Sequence, residues 1–69
     1  GGVMKNTIRV ERAILDMTQQ QLADAIGVSR NTINSIESGK YVPSTVLALK
    51  IARYFGKPTD SIFELDEND

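Results

Sequence analysis

The chain has 69 residues, eight Lys and Arg against nine Asp and Glu, and neither cysteine nor histidine. That length predicts one domain of marginal stability, since so short a chain buries only ~60% of its unfolded surface. Disulfide staples, metal sites built on thiolate or imidazole and His-based catalysis are excluded, and the scattered or terminal acids argue against an enzyme.

Gly1, Gly2 and Val3 precede the first methionine, Met4, as residues left over from expression do, and the domain is expected over residues 4–65. Asn6 or Thr7 can cap a first helix that runs to about Asp16. Ile8, Arg12 and Leu15 fall on one side of it, with Val10, Ala13, Ile14 and Met17 close by. Thr18 caps a second helix, and Gln21 three residues later completes a capping box, Thr-x-x-Gln. Gly27 can take the positive φ of a sharp turn, four residues after Ala23, where the second helix meets the third.

Ser29 is the natural N-cap of the third helix, and Gly39 ends it as a C′ glycine. Val28, Ile33 and Ile36 give an apolar stripe that holds it against the second helix. Its opposite face, Ser29, Arg30, Asn31, Thr32, Asn34 and Ser35, is polar and has no acid before Glu37. Amide, hydroxyl and guanidinium groups at that density suit hydrogen bonding in the DNA major groove.

Lys40 to Pro43 form a loop. Ser44 caps a fourth helix that continues to Phe55 and stops at Gly56, with Ala48, Ile51, Ala52 and Phe55 inward and Lys50 and Arg53 outward. Pro58 and Thr59 open a last short helix, Asp60 to about Glu64, which adds Ile62 and Phe63 to the core. Val3-Met4 and Phe63-Glu64-Leu65 can pair as a short terminal β-ribbon. Short connections make this a compact all-α domain of five helices.

Split by position, the net charge of −1 changes meaning. Residues 1–57 hold all eight bases and four acids, whereas residues 58–69 hold five acids and no base. The basic body can face nucleic acid. The acidic end, residues 66–69 above all, reads as a solvated terminus, or as a segment that forms part of a dimer contact or repels DNA on the wrong face. No apolar run approaches the ~20 residues that cross a bilayer. No signal-peptide pattern is visible, so the expected location is the cytoplasm, with no membrane partner.

The spacing Leu22, Ala23, Gly27, Val28, Ile33, Ile36, then Glu37-x-Gly39-Lys40-x-x-Pro43-Ser44, resembles the Cro/phage-repressor type of helix-turn-helix regulator, the XRE family. The likeness continues through Leu49-Lys50-Ile51-Ala52 and Asp60-Ser61-Ile62-Phe63, so it covers nearly the whole chain. It implies a bundle of the lambda-repressor-like DNA-binding type, with helices two and three as the helix-turn-helix. The third helix is then the recognition helix, its first residues meeting base edges.

Carried over by position, Arg30 suits guanine O6 and N7, Asn31 suits adenine N6 and N7, and Asn34 is a third reader one turn on. Solvation or a phosphate contact is the plainer reading of Arg30. Gln19 matches the family's phosphate-contacting glutamine, and Ser29, Thr32, Ser35, Lys40 and Tyr41 are further phosphate candidates. Ser29 serves equally as a cap alone. The resemblance also implies a structural ion pair between Arg12 and Glu37.

A single recognition helix reads few base pairs, so a C2 homodimer on a near-palindromic double-stranded operator is expected, acting as a repressor. The interface falls to helices four and five and the C-terminal segment, with Tyr54, Ile62 and Leu65. The rival reading is an antitoxin, or another partner-binding module, with autoregulatory DNA binding. No cofactor, metal or small-molecule effector is implied.

Overall fold

The structure, a computed structural model, describes residues 4–69. In chain order it forms β1 (Lys5–Asn6), α1 (Ile8–Ile14), α2 (Gln19–Ile26), α3 (Arg30–Glu37), α4 (Thr45–Phe55), α5 (Thr59–Ile62) and β2 (Phe63–Glu64). The helices surround one core in which Ile8, Leu22, Ile33, Ile36, Ile51 and Ile62 are fully buried. Burying a side chain of this kind stabilises the fold by ~1.5–3 kcal/mol. Ala23 and Ala52, also buried, are the small residues that let helices approach closely.

The helix boundaries follow local chemistry. Thr18 Oγ1 accepts from Gln21 N at 3.0 Å while Gln21 Oε1 accepts from Thr18 N at 2.8 Å, which is the capping box at the start of α2. Ser29 and Ser44 accept from Thr32 N and Leu47 N, both at 3.1 Å, and so cap α3 and α4. Gly39 (φ 79°) closes α3 in a Schellman turn: Lys40 N donates to Ser35 O at 2.9 Å and Gly39 N to Ile36 O at 3.1 Å. Gly27, between α2 and α3, has φ 86° and its N–H donates to Ala23 O at 2.8 Å.

Helix α1 departs from the expectation. It stops at Ile14, and Asp16 takes a positive φ of 52°, so Leu15 never reaches the inner side. Val10, Ile14 and Leu15 are exposed, and behind Ile8 the inward positions belong to Glu11 and Arg12. The cause is electrostatic: Glu11 accepts from Lys57 Nζ at 2.8 Å, and Arg12 is paired with Glu37, so charged groups with partners replace an apolar stripe. Thr7 makes no capping bond. Asn6 Oδ1 accepts from Ile8 N at 3.2 Å, and its Nδ2 donates to Ile36 O at 2.9 Å, tying the N-terminal segment to the end of α3.

The terminal ribbon exists with a different register. Lys5 pairs with Glu64 and Asn6 with Phe63, antiparallel, so Met4 precedes the strand and Val3 lies outside the described residues. Helix α5 accordingly ends at Ile62, not Glu64: Phe63 is extended (φ −117°, ψ 136°) and its neighbour pairs with β1. Among the described residues no helix is long and apolar enough to cross a membrane.

Candidate nucleic-acid interface

Helix α3 is held by its apolar side. Ile33 and Ile36 are fully buried and Val28, at the turn, is half-buried against the same cluster. That anchoring turns Arg30, Asn31 and Asn34 outward, all three exposed, with Thr32 and Ser35 half-buried at the flanks. Lys40 and Tyr41 follow the C-terminal end of α3 and are exposed, their N–H groups both donating to Ser35 O. The residues singled out as base readers thus share one accessible face. The phosphate candidates Ser29 and Thr32 stand at its N-terminal edge and Lys40 and Tyr41 at its C-terminal edge.

Two hydroxyls at the start of α3 are mutually engaged. Ser29 Oγ lies 2.9 Å from Thr32 Oγ1 and already accepts from Thr32 N. One hydroxyl hydrogen serves that contact, so one is left for a ligand such as phosphate. Backbone N–H groups in the first turns of α2 and α3 add donors of the kind that favour an anion.

The acid at the end of α3 does not face this surface. The Glu37 side chain is 1% exposed, and Arg12 grips it in a bidentate pair: Nε to Oε2 at 2.7 Å and Nη2 to Oε1 at 2.8 Å. Arg12 Nη1 donates further to Met17 O at 2.9 Å, fixing the guanidinium between α1, the α1–α2 turn and α3. Arg9 Nε stands 3.7 Å from Glu37 Oε1. Burial pushes the Glu37 carboxyl up, but the bonds from Arg12 and Gln19 and the charges of Arg12 and Arg9 outweigh it and hold the carboxyl below its usual range. The bond to Glu37 conversely raises Arg12, against the opposing effect of its own burial. The exposed face of α3 therefore carries Arg30 and no competing negative charge.

Gln19, the first residue of α2, reaches into the same network. Its Nε2 donates to Asn34 Oδ1 at 3.2 Å and to Glu37 Oε1 at 3.3 Å. Sequence reasoning placed Gln19 at the phosphate backbone and did not foresee its link to Asn34. The two residues lie fifteen apart, and nothing local in either segment signals their contact. The Glu11–Lys57 pair was also missed, because a charge on the inner side of a helix is not legible without its partner 46 residues away.

Two short helices, a glycine turn between them, a polar second helix seated on an apolar stripe and three supporting helices define a helix-turn-helix DNA-binding domain. A helix-turn-helix family profile matches residues 8–62, and the chain belongs to that family, in its XRE type. It is 47% identical over 66 residues to an uncharacterized HTH-type transcriptional regulator of Methanocaldococcus jannaschii, an alignment covering 96% of this chain and 100% of that protein. It is 35% identical over 65 residues to the cryptic phage CTXphi transcriptional repressor RstR of Vibrio cholerae, covering 87% of this chain and 56% of the repressor. Among solved structures, the restriction-modification controller protein C.AhdI of Aeromonas hydrophila superposes with a TM-score of 0.72 at 26% identity, covering 78% of this chain and 82% of that one. The chain is a DNA-binding transcriptional regulator, and its family is one of regulators, not of enzymes.

Proposed function

We propose that the protein is a dimeric repressor that reads a near-palindromic operator with α3 in the major groove. The observation that carries this reading is the exposed side of α3: Arg30, Asn31 and Asn34 face outward while Glu37, the acid of that helix, is turned inward and neutralised. Arg30 forks onto guanine O6 and N7, Asn31 pairs with adenine N6 and N7, and Asn34 reads one turn further along. Ser29, Thr32, Ser35, Lys40 and Tyr41 hold phosphates on either side. At the start of α2 the contact of Gln19 falls to its backbone N–H, because its side-chain amide hydrogens are directed to Asn34 and Glu37.

One such helix reads too few base pairs for a unique operator, whereas two about 34 Å apart read half-sites one turn apart. Ile62 cannot take part in the interface, being 1% exposed in the core of one subunit. The better surface is the outer side of α4 and the loop before it, where Val42, Val46 and Leu49 are each at least half exposed. Leu65, at 72% exposure, and Tyr54 remain available to a partner copy. A dimer seated over a promoter represses by excluding polymerase, in the cytoplasm where the DNA lies.

Fluorescence anisotropy with the DNA upstream of the protein's own gene, beside random DNA and at two salt concentrations, tests the reading. Nanomolar selective binding with two chains per duplex supports it. Weak and equal binding to both DNAs overturns it and turns attention to a protein partner. Sedimentation as a monomer at tens of micromolar, with and without DNA, defeats the dimer.

A further inference from the structure

We infer that Gln19 is a specificity-determining residue, which sets the polarity of Asn34 so that Asn34 meets the base edge with its amino group. The inference rests on the reading of α3 as the recognition helix. It starts from Glu37. Arg12 occupies both oxygens of that carboxylate, at 2.7 and 2.8 Å, so the group is ionised and can only accept hydrogen bonds. The atom of Gln19 that lies 3.3 Å from Glu37 Oε1 must then be its amino nitrogen.

That nitrogen has two hydrogens. One serves Glu37, and the other points to Asn34, 3.2 Å away, which must turn its oxygen toward it. The orientation of two amides, ordinarily free to flip, is thereby dictated by one buried charge. The group of Asn34 without a partner among the described residues is its own amino nitrogen, on an exposed residue of the reading face.

The consequence is chemical. With its oxygen turned to Gln19, Asn34 has one of its two oxygen lone pairs engaged, while both of its amino hydrogens are without a partner among the described residues. Those hydrogens suit N7 or O6 of guanine, N7 of adenine or O4 of thymine. Cytosine presents only an amino donor in the major groove, which leaves those hydrogens unmet, and is disfavoured. Gln19, with both amide hydrogens spent, has no side-chain donor left for a phosphate, so its side chain acts on DNA through Asn34.

Selection of preferred sequences from randomised duplexes tests this, with the wild type, Asn34→Ala and Gln19→Leu run in parallel. Thermal melts confirm that each variant folds, and Gln19→Met, an unbranched replacement, repeats the test if Gln19→Leu does not. Asn34→Ala is expected to flatten one base position, at which the wild type disfavours cytosine. Gln19→Leu is expected to relax that same position by ~10-fold and to leave the others unchanged. The inference is overturned if Gln19→Leu keeps the wild-type preference there, or if the wild type selects cytosine at that position. Uniform weakening on all sequences overturns it in favour of a phosphate contact. Absence of any selected motif in the wild type removes the reading of α3 together with this inference, whereas a selected motif that Gln19→Leu leaves intact removes this inference alone.

Discussion

Arg12 and Glu37, twenty-five residues apart, form a two-point clamp between α1 and α3, with hydrogen bonds of 2.7 and 2.8 Å and only 1% of the Glu37 side chain exposed. The clamp fixes the C-terminal end of α3 from below, while Gln19 reaches the same carboxylate from α2. Three helices are thus referenced to one negative charge. A carboxylate at this depth is tolerable because each oxygen is bonded, and no buried side-chain polar atom lacks a partner among the described residues.

Removal of Arg12 should therefore be severe. Arg12→Ala leaves Glu37 buried with only Gln19 beside it and Arg9, 77% exposed, at 3.7 Å. Stranding one partner of a buried pair costs ~3–5 kcal/mol, which for a domain of this size lowers Tm by more than ~10 °C. DNA affinity should fall with it, since α3 loses its anchor. A calorimetric melt within a few degrees of wild type would show that the pair contributes little.

The same carboxyl makes stability depend on pH with a definite sign. Its folded pKa lies below the ordinary value of 4.5, so in that range the unfolded chain binds more protons. The contribution is complete above about the unfolded value and is lost as pH falls through the folded one. Urea midpoints measured from pH 7 to pH 3 should drop more steeply below about pH 4.5 in the wild type than in Glu37→Gln, which has no proton to take up there. Parallel curves for the two proteins would assign acid sensitivity to other carboxylates.

What could be read from the chain beforehand divides along physical lines. Thr18–Gln21, Ser29, Ser44 and the glycines Gly27 and Gly39 encode helix ends by chemistry that acts within a few residues, and the structure places those ends there. The inward stripe of α3, Ile33 and Ile36, is legible for the same reason. Helix α1 was misread at Leu15 and Glu11: Leu15, set by its spacing beside Ile8 and Arg12, is exposed, and Glu11 takes an inward position. The partner of Glu11, Lys57, is 46 residues away in sequence. The ribbon shifted register for a related reason: a two-residue strand carries almost no pattern, and its pairing is set by Asn6, whose side chain is tied to Ile36.

Gly27 supplies a prediction that separates sterics from backbone conformation. A Cβ built there meets nothing within 4 Å, yet φ is 86°. Gly27→Ala should thus destabilise by ~1–2 kcal/mol through the left-handed backbone alone, and Gly27→Asn by less, because asparagine tolerates that region. Denaturant titration of the two variants checks the order. An alanine variant as stable as wild type would mean that the turn relaxes to another conformation.

The last prediction concerns the division of labour on the surface. Arg30 stands on the exposed side at the start of α3, and Lys40 on the turn beyond its C-terminal end. If Arg30 forks onto a base, Arg30→Ala should relax preference at one position and weaken operator binding by ~1–3 kcal/mol, with little change on random DNA. Lys40→Ala, losing a point charge near phosphate, should weaken operator and random DNA alike and lower the salt slope by ~1. Anisotropy titrations of both variants on both DNAs at several salt concentrations distinguish the two roles. Equal losses for Arg30→Ala on operator and random DNA would move Arg30 to the backbone and leave the amides of Asn31 and Asn34 as the readers of sequence.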